Sequence, residues 1–317
     1  MKKFILLICL LSTSFSKAGN LDSLLTIVDQ EIKNKQYKEA IYHCDVLLKV
    51  KQLPEIYVLK ARALVEGRKQ FTTNDSVFTA SINCLNKAIQ LDPMWAVSYG
   101  QKGFTFIIFQ QFDSAVAAYT ECILRETDSA NLFRALNDRG AARIFTHDIH
   151  GALADYEVAK KIKPDDLGIY LNLSTLYSNE KDYKNAEKTV MEGLKKHPGN
   201  PDLKNNYGWI LLNNQKYKEA ITVFNEALRF HPGDNSLLSN RGFCYTKLGE
   251  FEKAFKDLNE SVQADPHNSY VYKNLAVYYF AKKDTAKACE NLDLAKKYGF
   301  DATYGNEVEE LRTKNCK

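Results

Sequence analysis

The sequence predicts an all-α solenoid of about eight helix–turn–helix hairpins with a C-terminal capping helix. Three observations carry that prediction. Prolines fall at Pro164, Pro198, Pro232 and Pro266, each 34 residues after the last. Alanines keep the same spacing at Ala152, Ala186, Ala220, Ala254 and Ala288. Two further classes follow in phase: small residues at Gly140, Ser174, Gly208, Gly242 and Ala276, and bulkier ones at Tyr156, Val190, Phe224, Leu258 and Leu292. Independent residue classes holding one period mean a stack of small supersecondary units, none of which buries its own apolar faces alone.

Each element has a local reason. In the unit 235–268, Leu238, Gly242 and Tyr245 recur at the spacing of one helical face, and Ala254, Leu258, Ser261 and Val262 form a second stripe. Between them Leu248-Gly249-Glu250 supplies a glycine that ends the first helix and turns the chain. Gly242 and Ala254 are small because two antiparallel helices approach closely where they cross. Pro266 lacks the N–H needed to continue the second helix. The same frame places units at 133–166, 167–200, 201–234, 235–268 and 269–302.

Upstream the phase persists with interruptions. Tyr99, Gly103, Phe106, Ala115 and Tyr119 mark a unit over 96–129, after which Ala130 to Leu132 are surplus. The unit 54–95 carries Tyr57, Ala61, Leu64, Ser81, Leu85, Ala88 and Pro93, with its excess length around Gly67 to Val77. The first unit, 21–53, keeps Tyr37, Ala40 and Leu47 but is degenerate, as terminal repeats tend to be. Residues 303–317 form the cap, a helix from Asn306 to Lys314 with Asn306 at its start.

Residues 1–18 read as a secretory signal peptide. Lys2 and Lys3 precede an apolar run from Phe4 to Leu11, and cleavage is expected near Ala18. The mature chain is then expected to be exported, periplasmic or secreted, without a transmembrane segment. Removing Lys2, Lys3 and Lys17 from 43 basic residues leaves 43 − 3 = 40 against 39 acidic ones, a net charge of +1. No broad positive field remains to hold a phosphate backbone, so nucleic acid is not an expected partner.

Leu136, Gly140, Ala152, Tyr156, Ala159 and Pro164 in one unit resemble the tetratricopeptide repeat, as do Tyr170, Ser174, Tyr177, Ala186 and Pro198 in the next. Gly208, Ala220, Phe224, Ala227 and Pro232 continue the likeness, which covers nearly the whole mature chain. The resemblance implies a right-handed superhelix whose first helices line a concave groove for a protein or extended peptide. On that implication Asn172, Asn206, Asn240 and Asn274, two residues before each small position, form a ladder of amides along the groove. Thr175, Trp209, Phe243 and Val277, with Phe104 in an earlier unit, fall three residues further on and would supply anchors. The family's carboxylate clamp is not reproduced, since Val277 stands where Asn is expected after Lys273.

No Gly-rich phosphate loop, HExxH or GxSxG occurs, so the expectation is a non-enzyme without cofactor or metal. His147-Asp148-Ile149-His150 falls in an expected turn and offers two ligands without a third. Cys44, Cys84, Cys122 and Cys244 fall at packing positions, whereas Cys289 and Cys316 are a candidate disulfide stapling the C-terminal end. Asp-Ser and Asp-Thr pairs at 22, 75, 113, 128 and 284 suit helix starts. The functional expectation is a protein- or peptide-binding scaffold of the cell envelope using the groove. The alternatives are an assembly subunit of an envelope or secretion complex, and a glycan-binding accessory.

Overall fold

The computed structural model describes residues 18–70 and 73–316, so the expected signal peptide lies outside the described residues up to Ala18. The described chain is helical, without a strand among those residues, and divides into two units, Met1–Pro164 and Asp165–Lys317. In the first unit α1 (Ala18–Lys33) pairs with α2 (Tyr37–Val50), and α3 (Pro54–Glu66) with α4 (Asn74–Leu91). There α5 (Ala96–Ile108) pairs with α6 (Phe112–Arg125), and α7 (Ser129–Phe145) with α8 (Ile149–Ile162). In the second unit α9 (Leu167–Asn179) pairs with α10 (Tyr183–Lys196), and α11 (Pro201–Asn213) with α12 (Tyr217–Leu228). It continues with α13 (Asn235–Lys247) on α14 (Phe251–Ala264) and α15 (Ser269–Ala281) on α16 (Thr285–Lys297). It closes with α17 (Phe300–Tyr304) and α18 (Glu307–Asn315).

The small positions do what their spacing requires. A Cβ on Gly103 would stand 2.8 Å from the Tyr119 ring, one on Gly140 2.8 Å from Tyr156, and one on Gly208 2.3 Å from Phe224. One on Gly242 would meet Leu258 at 2.8 Å. Each partner lies sixteen residues on, directly across the hairpin. Glycine faces the large side chains Tyr119, Tyr156 and Phe224, all at most 2% exposed, whereas Ser174 suffices in the hairpin that carries Val190.

The turn between paired helices is closed by one residue in the left-handed region. His147, Lys181, Gln215, Gly249 and Lys283 hold φ between +59° and +76°, again 34 residues apart. Gly249 alone in that series takes this conformation without the penalty of a Cβ. His147 thus serves as a turn residue, and Asp148 caps α8 by accepting the Gly151 N–H. Second helices end ahead of the periodic prolines, as the non-helical backbone of Lys163, His197 and Asp265 shows. Asp166, Asn200, Asp234 and Asn268 then start the first helices of the second unit, each accepting a main-chain N–H two or three residues on.

The irregular stretches are absorbed locally. The surplus after residue 129 lengthens α7 at its start, where Asp128 accepts the Asn131 N–H. The excess between α3 and α4 begins with a 3-10 turn, Arg68–Gln70. Each unit also holds a buried ion pair across one hairpin. Arg139 grips Asp155 at 2.6 Å and 2.9 Å, while Arg241 grips Asp257 at 2.6 Å and 2.8 Å, and both aspartates are 3% exposed. The third donor of each guanidinium reaches back to the preceding hairpin, Arg139 to Thr120 and Arg241 to Asn225.

At the C-terminal end the eighth hairpin carries more than a single solvated helix. Gly299 and Gly305, both at φ +85°, bracket the short α17, whose Phe300 is fully buried. Val308 buries α18 in the same cluster, and the disulfide Cys289–Cys316 ties α18 back to α16, with Cα atoms 5.8 Å apart. Asn306 starts α18 but makes no side-chain cap.

Candidate functional site

First helices of successive hairpins touch in the second unit: α9 with α11, α11 with α13, and α13 with α15. Along these seams lies an open cleft of about 410 Å³, walled by Trp209 on α11, Tyr270 on α15 and Tyr304 on α17. Its floor carries Asn205, Asn206 and Asn240. Trp209 is part-buried and lines the cleft, so its large aromatic side chain is offered there. Tyr304 is 55% exposed and meets the Tyr270 ring edge-on at 5.3 Å, so α17 supplies one wall.

The four asparagines do not form one displayed ladder. Asn206 donates to Thr175 Oγ1 at 3.0 Å and, at 3.4 Å, to Leu171 O and Ser174 Oγ, tying α11 to α9. Asn240 is 5% exposed and donates to Asn205 Oδ1 at 3.3 Å, and Asn274 is 1% exposed and donates to Ser239 Oγ at 2.9 Å. The expected ladder is therefore corrected at Asn240 and Asn274, whose side chains are buried rather than displayed. At Asn206, Asn240 and Asn274 the position two residues before the small residue faces the preceding first helix, and the amide nitrogen is spent on that seam. Asn206 and Asn240 line the cleft, whereas Asn172 and Asn274 are not among its lining residues.

Trp209 lies in the cleft as expected, but Phe243 does not line it. Phe243 packs in the α11–α13 core, with the Lys247 ammonium 5.0 Å and the Lys273 ammonium 5.3 Å from its ring centre. Phe104 belongs to the first unit, 36% exposed on a separate cavity of about 260 Å³. There Tyr119 donates to Asp138 at 3.3 Å, and burial holds the Asp138 carboxyl above its ordinary value, against the pull of Asn137, Tyr119 and Arg134.

The sequence reading missed Tyr270 and Tyr304, because their positions in the repeat carry no period. Asn205 and Ser239 beside the expected amides were also missed. No group of three or more His, Cys, Asp or Glu placed to hold a metal occurs among the described residues. Burial pushes the Cys44 and Cys244 thiols up to about 12 and Cys122 to about 11, so these cysteines are poor nucleophiles. No described helix is long and apolar enough to cross a membrane.

Comparison with known proteins places the hairpins in a family. Residues 171–235 and 236–268 match two models described as tetratricopeptide repeat. Among solved structures, a tetratricopeptide repeat protein from Parabacteroides merdae is similar at TM-score 0.65 and 17% identity, over 80% of this chain and 98% of that one. A chain of the APC/C hetero-tetramer Cut9–Hcn1 is similar at TM-score 0.56 and 16% identity, over 96% of this chain and 57% of that one. At these identities the two structures share the fold. No curated protein matches.

Proposed function

Since this chain belongs to the tetratricopeptide-repeat family, we propose that it is a scaffold of the cell envelope that holds a protein or extended peptide in the second unit's cleft. Tetratricopeptide-repeat proteins are generally non-catalytic scaffolds for protein or peptide partners. The observation that carries the assignment is the cleft itself: aromatic walls from Trp209, Tyr270 and Tyr304 stand over amides fixed by their neighbours. Side chains already held in place lose little freedom on association, so the partner is bound by a preformed surface. Export rests on the N-terminal sequence pattern, Lys2-Lys3 followed by the Phe4–Leu11 run.

Affinity capture from an envelope fraction tests this reading, with wild-type chain compared against Asn206→Ala/Trp209→Ala. The expected result is loss of a partner that the wild type retains. Equal recovery by both would place the contact elsewhere and favour the assembly-subunit alternative, for which exposed apolar side chains on second helices are candidates. Met191 and Phe255, on the second helices α10 and α14, are 45% and 43% exposed.

A further inference from the structure

The chain is 26% charged, yet every residue lining the second unit's cleft is Asn, Ser, Thr, Trp or Tyr. A cation beside the cleft wall is paired in place. Lys273 on α15 is 6% exposed and sits 5.1 Å from the ring centre of Tyr270, the cleft-wall residue. Its ammonium is paired at 3.0 Å with Glu307 at the start of α18. The cap that supplies Glu307 is pinned by the Cys289–Cys316 disulfide and by Val308 in the core. A second observation points to a ligand. Asn240 spends its Nδ2 on Asn205, which leaves Oδ1 buried in the cleft floor with no hydrogen-bond partner. A buried acceptor left unmade costs about 1–3 kcal/mol, which a donor from a bound molecule would recover.

We infer that this cleft selects an uncharged, extended peptide segment, whose main-chain N–H is taken by Asn240 Oδ1 while Glu307 keeps the Lys273 charge out of recognition. This rests on the peptide-binding reading of the same cleft and adds the chemistry of the occupant. A charged side chain entering a lining without counter-charge would lose hydration with nothing to replace it. Amide and hydroxyl side chains, by contrast, can exchange hydrogen bonds with the asparagine floor and stack on Trp209.

The test passes three end-blocked peptide libraries over immobilised full-length chain. The peptides are about ten residues long, enough to span roughly 30 Å when extended. One library is built from Asn, Gln, Ser, Thr, Gly and Tyr, one carries Asp or Glu at every third position, and one Lys or Arg. Recovery of the neutral library should exceed that of either charged one by about tenfold, and Trp209→Ala should abolish the excess. Glu307→Gln, by exposing the Lys273 charge, should raise recovery of the acidic library about threefold and leave the neutral one within about twofold. Lys273→Met/Glu307→Gln should restore the wild-type preference, an effect that a merely misfolded cap would not produce.

Charged libraries recovered as well as the neutral one, with dependence on Trp209, would overturn the selectivity and leave the cleft as the peptide site. A neutral oligosaccharide such as maltohexaose binding through Trp209 in place of every peptide would overturn the peptide occupant. Recovery insensitive to Trp209 in all arms would overturn the cleft itself.

Discussion

At the scale of single residues, the crossing point of each hairpin is set by one missing Cβ. Gly208→Ala forces a methyl to within 2.3 Å of Phe224, so it should destabilise the second unit by about 1–3 kcal/mol in urea unfolding. Gly233→Ala meets nothing within 4 Å and should stay within about 0.5 kcal/mol of wild type. Equal midpoints for the two variants would contradict the packing reason for the period. Asp138 gives a second residue-scale prediction. Burial raises its folded value above the ordinary 3.8, so the folded chain holds that proton more tightly than the unfolded chain. Its contribution is full below the unfolded value and is lost as pH rises through the folded one. The Tm of Asp138→Asn should therefore gain on wild type from acid toward neutral pH, and a difference flat in pH would exclude this. The small positions were legible in the sequence because sterics act at fixed spacing. The orientation of Asn240 and Asn274 was not, since it depends on how closely the neighbouring first helix lies, a distance absent from any single repeat.

At the scale of elements, helix starts and cross-hairpin ties carry the regularity. Asp234 accepts the Leu237 N–H at 2.9 Å at the start of α13, so Asp234→Ala should cost about 1 kcal/mol, read by chemical denaturation. A much larger penalty belongs to Asp257→Ala, which strands the Arg241 guanidinium beside a buried gap and should cost roughly 3–5 kcal/mol. A loss under about 1 kcal/mol would show the pair to be solvated. The caps stand in the sequence as a periodic signal, Asp or Asn two residues after each proline of the 34-residue series. They are less conspicuous than proline or alanine because the residue type varies. Arg, by contrast, precedes the small position at Gly140 and Gly242 alone among the five regular units. The short α17 left no such trace. Five residues between two left-handed glycines are too few to show a helical period, and what holds them is Phe300 in the core.

At the scale of the whole molecule, a repeated hairpin gives each unit a set of first helices whose seams can be furnished differently. In the second unit the furnishing is a neutral cleft with aromatic walls; in the first, one cavity is framed by Phe104, Arg134 and Asp138 and carries charge. Repeat number and helix pairing follow from side-chain sizes at fixed spacing, which is why they are visible in one sequence. A cleft wall that includes Tyr304 combines residues 95 positions apart in the chain, from Trp209 on, and comes into view once the helices are stacked. The most direct measurement of the central claim is site-specific photocrosslinking in envelope extracts, with benzoylphenylalanine replacing either Trp209 in the cleft or Met191 on the second helix α10. A partner adduct at 209 and none at 191 is the predicted result; an adduct at 191 with none at 209 would contradict it.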